Sequence, residues 1–463
     1  MCSLNDYRCD DEISVNDKNT LTKETTLCRK CRCENADVLL IGQSGYCKKC
    51  FLIAANHKFR ANLGKSKLIR RDDSMLVDFS GELNSSVLLH LIKAGMSESA
   101  HKKLMFKTTI LYIDDSGIVE NTNEEKDTER QKVAKEVNNS GFDGYIVSLS
   151  QVLNKNDNLD IKRIDNREIN NENDDQFRSI LANLSDNTSR IDLLNYLRRR
   201  LLLLAARRLN CNKILVADSS TDIAAKVIGD VCLGRGAQLS TLSQFCDARY
   251  ADIKILKPMR DFTQQELVHY AKYHEVNCVK IRKSDVTAPA TSIQTLAHNF
   301  TMNLESQFSS TVSTVFRTAE KLSARNLERQ DEEDYCVLCD GVLDSTSAND
   351  RVSAVRAIEV SRLVSTKCVN TQTFDNKKNG EINCAISRLS NVARCNDDNE
   401  CGCKDNKRGQ ITAENVWDCL CYSCKLIFRR SDILHTLPAP LLTAAQRKLS
   451  LKKMREEIND FLL

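Results

Sequence analysis

Residues 75–93, reading MLVDFSGELNSSVLLHLIK, constrain the fold more than any other stretch of this chain. The apolar run Met75-Leu76-Val77, with Phe79, predicts a buried parallel strand. Ser80-Gly81 ends it, and a Ser-rich turn then opens an amphipathic helix from about Ser86. A strand, a loop of small residues and a helix N-terminus in this order make an anion site, because free backbone N–H groups and the helix dipole converge there. The candidate anion-binding residues are Ser80, Gly81, Ser85 and Ser86.

Strands and helices continue to alternate downstream. Strands are predicted at 108–113, 145–149, 213–217 and 253–256, and helices at 191–209 and 222–232. A further helix starts at Thr263, where Thr263 and Glu266 have the spacing of a capping box. This order specifies an α/β fold with a doubly wound, mostly parallel sheet over 74–283. Ligands on such a sheet bind at the carboxyl ends of the strands, where Ser80 and Asp218 fall. Two segments, near 119–140 and 154–176, are Asn-rich and acidic without periodicity, and are expected to be disordered insertions. The arginines at 198, 199, 200, 207 and 208 flank a leucine stripe and predict a solvated helix face, tRNA contact being the other reading. Cys211, Cys232, Cys246 and Cys278 are unpaired and are expected to be small core residues.

The chain has 463 residues and 21 cysteines. Its first residues, MCSLNDYRCDDE, lack the apolar core of a signal peptide, and no apolar run reaches transmembrane length. A reducing compartment, cytosol or nucleus, is therefore expected, and there paired Cys-x-x-Cys motifs point to metal rather than disulfides. Cys28, Cys31, Cys47 and Cys50 form a Cys-x2-Cys-x15-Cys-x2-Cys pattern, the spacing of a tetrahedral structural zinc site, and define a knuckle over 26–56. Cys33 is a spare thiol that could compete with Cys31. Cys336, Cys339, Cys421 and Cys424 predict a second zinc site within a cysteine-rich module over 336–428. It would close over a long insertion, at an entropic cost that grows only logarithmically with loop length. Cys368, Cys384, Cys395, Cys401 and Cys403 of that insertion are the alternative ligands. Two structural zinc ions per chain are thus expected.

A formal net charge of +4 gives no global argument for nucleic acid, so any such argument must be local. The linker 57–73 carries Lys58, Arg60, Lys65, Lys67, Arg70 and Arg71 before its first acidic residue. It is either a grip on a phosphate backbone or a solvated helix and linker. The remaining segments are a disordered tail over 1–25, a helical connector over 284–335 and a C-terminal helix within 429–463.

Ser80-Gly81-Glu82-Leu83-Asn84-Ser85 resembles the pyrophosphate-binding loop of the ATP-pyrophosphatase enzymes, Ser-Gly-Gly-x-Asp-Ser, with Glu82 at the second glycine and Asn84 at the aspartate. That resemblance implies a sheet of the adenine-nucleotide alpha-hydrolase-like (PP-loop) type, here flanked by N-terminal and C-terminal zinc-binding modules. The N-terminal knuckle, KFR…LGK, this degenerate loop, ADSSTDIAAKVIGDVCLGRGAQL, KPMRDFTQQEL and the distal Cys-x-x-Cys pairs occur in order. Together they resemble the eukaryotic cytoplasmic tRNA 2-thiolation protein 2 family, over most of 28–280 and again at 336–339 and 419–424.

The resemblance implies a cytoplasmic role in 2-thiolation of the wobble uridine, as 5-methoxycarbonylmethyl-2-thiouridine, in the tRNAs for Lys, Glu and Gln. It implies a complex with a catalytic paralogue, and sulfur from a thiocarboxylated ubiquitin-related modifier. Where active relatives carry a Gly-His-Asn-x-Asp-Asp type motif, residues 217–222 keep only its last aspartate, Asp222, as a nucleotide-binding candidate. Active sulfur carriers of the superfamily use cysteines inside the α/β unit, and none occurs between Cys50 and Cys211. Together with Glu82 and Asn84, this favours a partner subunit with no catalytic residues of its own, at which ATP binding is doubtful. The alternatives are an active ATP-dependent tRNA sulfurtransferase and a zinc-dependent RNA-binding scaffold outside thiolation.

Overall fold

The structure is a computed structural model and describes residues 27–40, 45–97, 103–118, 123–154, 157–166, 172–279, 292–322, 335–343 and 412–462. After helix α1 (Lys48–Ser66) the chain enters β1 (Ser74–Asp78), α2 (Leu83–Met96), β2 (Lys107–Asp114), α3 (Asn123–Ser140) and β3 (Asp143–Ser148). It continues through β4 (Lys162–Arg163), α4 (Asp174–Ala182), α5 (Asn187–Arg208), β5 (Lys213–Leu215), α6 (Ser220–Cys232) and α7 (Leu239–Ser243). Next come β6 (Cys246–Asp247), β7 (Lys254–Leu256), α8 (Gln264–His274), α9 (Ile293–Gln307) and α10 (Ser309–Lys321). The last long helix is Ala439–Leu462.

The seven strands form one sheet in the order β4-β3-β2-β1-β5-β7-β6. The five inner strands are parallel, and β4 and β6 run antiparallel at the two edges. The chain winds outward from β1 in both directions, so the switch point lies between β1 and β5, where such sheets place their ligand crevice. This is a doubly wound, mostly parallel sheet.

Alternation along each strand decides which helix covers which face. In β1, Leu76 joins a core with the α5 residues Leu193, Leu197 and Leu201, whereas Met75 and Val77 join one with Phe51 and Phe59 of α1 and Leu88 of α2. The first core extends into the C-terminal module through Leu338, Leu420, Phe428 and Leu441. That module is therefore packed on the sheet's own hydrophobic layer.

The predicted capping box at Thr263 is present, and a second one, not foreseen, opens α6: Ser219 Oγ accepts from the Asp222 N–H while the Asp222 carboxylate accepts from the Ser219 N–H. Both expected insertions need correction. Residues 123–140 form α3, which buries Val133 and Val137 against Ile110 and Tyr112 of the sheet. Two apolar residues one turn apart, Glu124 and Glu125 at the helix start and the Arg130 guanidinium donating to Asp114 on β2 at 2.9 and 2.6 Å hold this polar helix in place. Within 154–176, Lys162 and Arg163 add the edge strand β4 beside Tyr145 and Ile146, and Asp174 and Asp175 open α4. The tail 1–25 and most of the insertion at 340–415 lie outside the described residues.

Candidate functional site

The crevice at the carboxyl ends of β1 and β5 opens into a cavity of about 680 Å³. Ser80, Glu82, Asn84 and Ser85 line one side, Asp218 and Asp222 the other. Gly81 has φ 78°, the left-handed region where a Cβ is strained, so the one surviving loop glycine stands where backbone geometry requires it. Glu82 has extended backbone, φ −77° and ψ 167°, at the N-cap of α2; an ordinary residue fits there, and the turn survives the loss of the second glycine. Of the sequence candidates, Ser80, Ser85 and Asp222 line the cavity, whereas Ser86 is buried and is not among its lining residues.

Several polar groups of the loop are engaged by the protein itself, although Asn84 Oδ1 is buried without a hydrogen-bond partner and no side chain caps the α2 N-terminus. Ser80 Oγ accepts from the Glu82 N–H at 3.3 Å and lies 3.1 Å from Ser85 Oγ, which donates to the Glu82 carbonyl at 2.9 Å. Asn84 Nδ2 donates to Asp222 Oδ2 at 2.8 Å, and the same oxygen accepts from Ser219 N at 2.9 Å and Ser219 Oγ at 2.7 Å. The Glu82 side chain adds negative charge at the α2 N-terminus, the place where a phosphate would sit.

Around the cavity, carboxylates outnumber guanidinium and ammonium groups. Arg198 Nη2 donates to Asp78 Oδ1 at 2.9 Å, Lys226 Nζ to Asp218 Oδ1 at 2.8 Å, and Arg199 and Arg249 both meet Asp247. Arg235 is held by Asp192, by Asp230 and by Ser423 of the C-terminal module. Burial raises the pKa of Asp115, and lowers that of Lys257, which donates to the Leu242 carbonyl, to about 8. Burial would raise Asp218 as well, but Lys226 and Lys257 beside it hold it below the usual carboxylate range. The cations in this wall are committed to nearby carboxylates or carbonyls, an unfavourable lining for a triphosphate.

The predicted solvated flank of α5 is thus corrected: Arg198, Arg199, Arg200 and Arg207 each pair with an aspartate, on β1, on β6 or in a loop. The partners are far away in sequence, and periodicity carries no signal for them. The expected burial holds for Cys211 but not for Cys232 and Cys278, which are exposed, nor for the half-buried Cys246.

Of the basic candidates, Lys65, Lys67, Arg70 and Arg71 are exposed and Arg60 is half-buried. Lys58 is drawn inward: its ammonium meets Glu266 Oε1 at 2.5 Å and the Asp261 carbonyl at 3.3 Å, and lies 5.0 Å from the centre of the Phe262 ring. It ties α1 to the start of α8.

Two four-thiol groups are assembled, Cys28 with Cys31, Cys47 and Cys50, and Cys336 with Cys339, Cys421 and Cys424. In each, the sulfur atoms lie within 4.8 Å of one another. Short antiparallel bridges, Leu27 to Asn35 and Val38 to Tyr46, fold the first pair of knuckle turns, and Cys50 arrives on the first turn of α1. The Cys31 backbone N–H holds the Cys28 thiol down to about 6, although burial opposes it. At the second group the neighbouring thiols, Cys336 foremost, hold Cys421 far below the usual thiol range. Cys47, Cys50, Cys336 and Cys424 are shifted upward instead, so the metal reading stands on geometry: four clustered sulfurs fit a tetrahedral divalent ion such as zinc. Cys33 stands apart and donates to the Cys31 carbonyl, and Cys419 is buried near the Ala445 carbonyl, so neither joins a group. Cys339 belongs to both features, being a member of the second group and part of the cavity wall. The five insertion cysteines lie outside the described residues.

The family model for cytoplasmic tRNA 2-thiolation protein 2 matches residues 292–426. The protein of that name from Drosophila willistoni is 32% identical over 353 residues, covering 74% of this chain and 84% of its own length. The chain belongs to the cytoplasmic tRNA 2-thiolation protein 2 family. The Xenopus tropicalis member is 28% identical over 526 residues, spanning 100% of this chain and 98% of its own. Among solved structures, the U34-tRNA thiolase NcsA from Methanococcus maripaludis with its [4Fe-4S] cluster is similar at 18% identity and a TM-score of 0.49, over 66% of this chain and 92% of that one. The knuckle and crevice are thus features of a family member whose relatives carry tRNA thiolation in their names. No described helix is long and apolar enough to cross a membrane.

Proposed function

We propose that this chain is the non-catalytic partner subunit of a cytoplasmic tRNA 2-thiolation complex. It would act with a catalytic paralogue in making the wobble 2-thiouridine of tRNA Lys, Glu and Gln, the sulfur coming from a thiocarboxylated ubiquitin-related modifier. Family membership supports the pathway, and one observation supports the partner role: the crevice after β1 is crossed by the protein's own contacts and carries Glu82 at the α2 N-terminus. Ser80 takes the Glu82 N–H, and Asn84 is bonded to Asp222 across the crevice. The chemistry of the catalytic step requires adenylation of the uridine's 2-carbonyl oxygen, and a loop that carries Glu82 in a wall with more carboxylates than cations is poorly suited to hold ATP.

In this reading the two cysteine groups hold zinc and stiffen the flanking modules, 26–56 and 336–428. The exposed Lys65, Lys67, Arg70 and Arg71 carry tRNA contact; Lys58, engaged with Glu266, has a structural task. The decisive assay measures tRNA-dependent pyrophosphate release by the isolated chain and then by the chain with its paralogue. Release is expected only from the pair; robust release by the isolated chain identifies it as an active sulfurtransferase instead. Deletion of the gene should abolish wobble 2-thiouridine in digested tRNA, and intact 2-thiouridine would place the chain outside thiolation.

A further inference from the structure

Four thiolates around a divalent ion leave a net negative charge, and at 336–424 that charge is buried: Cys336 is 1% exposed, Cys339 2%, Cys421 7% and Cys424 0%. A buried charge of this kind needs hydrogen-bond donors on its sulfurs, and donors of this type tune metal affinity strongly. Local backbone supplies part of the frame, with Cys336 N–H donating to the Gly341 carbonyl and Asp340 N–H to the Cys336 carbonyl. One side-chain donor comes from elsewhere. Gln238, in the turn between α6 and α7, places Nε2 3.3 Å from Cys339 Sγ, across 101 residues of sequence.

We propose that Gln238 is a positioning residue that donates its amide N–H to the Cys339 thiolate and so fastens the C-terminal metal centre to the wall of the crevice. The inference rests on the reading that the second cysteine group holds a metal ion. Three independent features support the contact. Arg235, three residues earlier, is locked by Asp192, Asp230 and Ser423, which fixes the turn that presents Gln238. Arg249 Nη1 donates to the Cys339 carbonyl at 3.1 Å, and Tyr250 OH donates to Asp340 Oδ2 at 2.8 Å, so the same knuckle is held from the loop after β6 as well. Gly341 is bare at the point of approach, since a Cβ there would lie 2.1 Å from Gln238 Nε2. The centre and the crevice therefore share one wall, in which Gln238 and Cys339 both take part.

The test uses the full chain loaded with Co(II) in place of zinc, and two variants that remove the same hydrogen bond from opposite sides. Gln238→Met keeps the length of the side chain and deletes the donor; Gly341→Ala pushes the amide away. A thiolate relieved of an N–H donor is more electron-rich, so both variants should shift the sulfur-to-cobalt charge-transfer band to longer wavelength. In the zinc-loaded protein, each should speed extraction by a chelator about tenfold or more for one ion of the two. The ion at Cys28, Cys31, Cys47 and Cys50 is the internal control. Two ions bound, with an unmoved band and unchanged extraction in both variants, would overturn the role of Gln238. A wild-type chain that binds only one ion would instead overturn the underlying metal reading.

Discussion

Asn84 donates its side-chain amide to the Asp222 carboxylate across 2.8 Å, joining the first turn of α2 to the capping box of α6 over the mouth of the crevice. In the enzymes whose loop this one resembles, an aspartate stands at the position of Asn84, and two carboxylates could not make that contact without a proton or a cation between them. The neutral amide turns a place of charge repulsion into a latch.

Restoring the loop should therefore damage the protein rather than repair it. Asn84→Asp replaces a hydrogen bond to a carboxylate by like-charge contact, with an expected loss of about 2–3 kcal/mol in chemical denaturation. The double variant Glu82→Gly with Asn84→Asp should still release no pyrophosphate in the presence of tRNA. Measurable turnover would show that the two substitutions alone silence the site.

Metal analysis should find about two zinc ions per chain. Cys28→Ser and Cys336→Ser should each remove one ion, and the Cys336 variant should also unfold the module that packs on α5, because that module shares its core with the sheet. One ion in the unaltered chain would contradict the second assignment.

Neutralising Lys65, Lys67, Arg70 and Arg71 together should weaken tRNA binding and flatten its dependence on salt. The slope of log K against log salt should fall by about 0.7–0.9 for each phosphate contact removed. Lys58→Ala, by contrast, should lower stability through the lost pair with Glu266 and leave the salt slope as it was. Equal slopes for the four-fold variant and the parent would make this stretch a plain linker.

Arg235→Met should cost about 3–5 kcal/mol, since it strands Asp192 and Asp230 without their shared cation in a buried setting. The denaturation midpoint reports this directly. A loss below about 1 kcal/mol would mean that water or a rearranged lysine takes over the charge.

His90 gives a pH dependence with a definite sign. Its ring lies against Tyr270 and His274, and burial foremost, then the charge of His274, lowers its pKa to about 4. The unfolded chain binds the proton near pH 6.5, so the contribution of this group is complete above 6.5 and is lost as pH falls towards 4. His90→Gln should flatten the stability profile in that window; an unchanged profile would assign the acid sensitivity elsewhere.

The architecture was legible from local patterns. Apolar runs located the five parallel strands, and the Cys-x-x-Cys spacings picked out the eight thiols that the fold assembles. Such signals work because neighbours in sequence must share a face or a turn. The helix at 123–140 escaped notice because Val133 and Val137 are the two large apolar residues it buries, too few to stand out from a polar background.

The sequence by itself determined the strand–loop–helix after β1, the class of sheet built around it, the two thiol groups and the family. Only the tertiary structure decided what fills the crevice: Asn84 on Asp222, Arg198 on Asp78, Arg235 on Asp192, and Gln238 on Cys339. These contacts join residues 43 to 138 positions apart. A charge or amide carries no mark of its partner along the chain, and its effect depends on a separation of a few ångströms that packing alone sets.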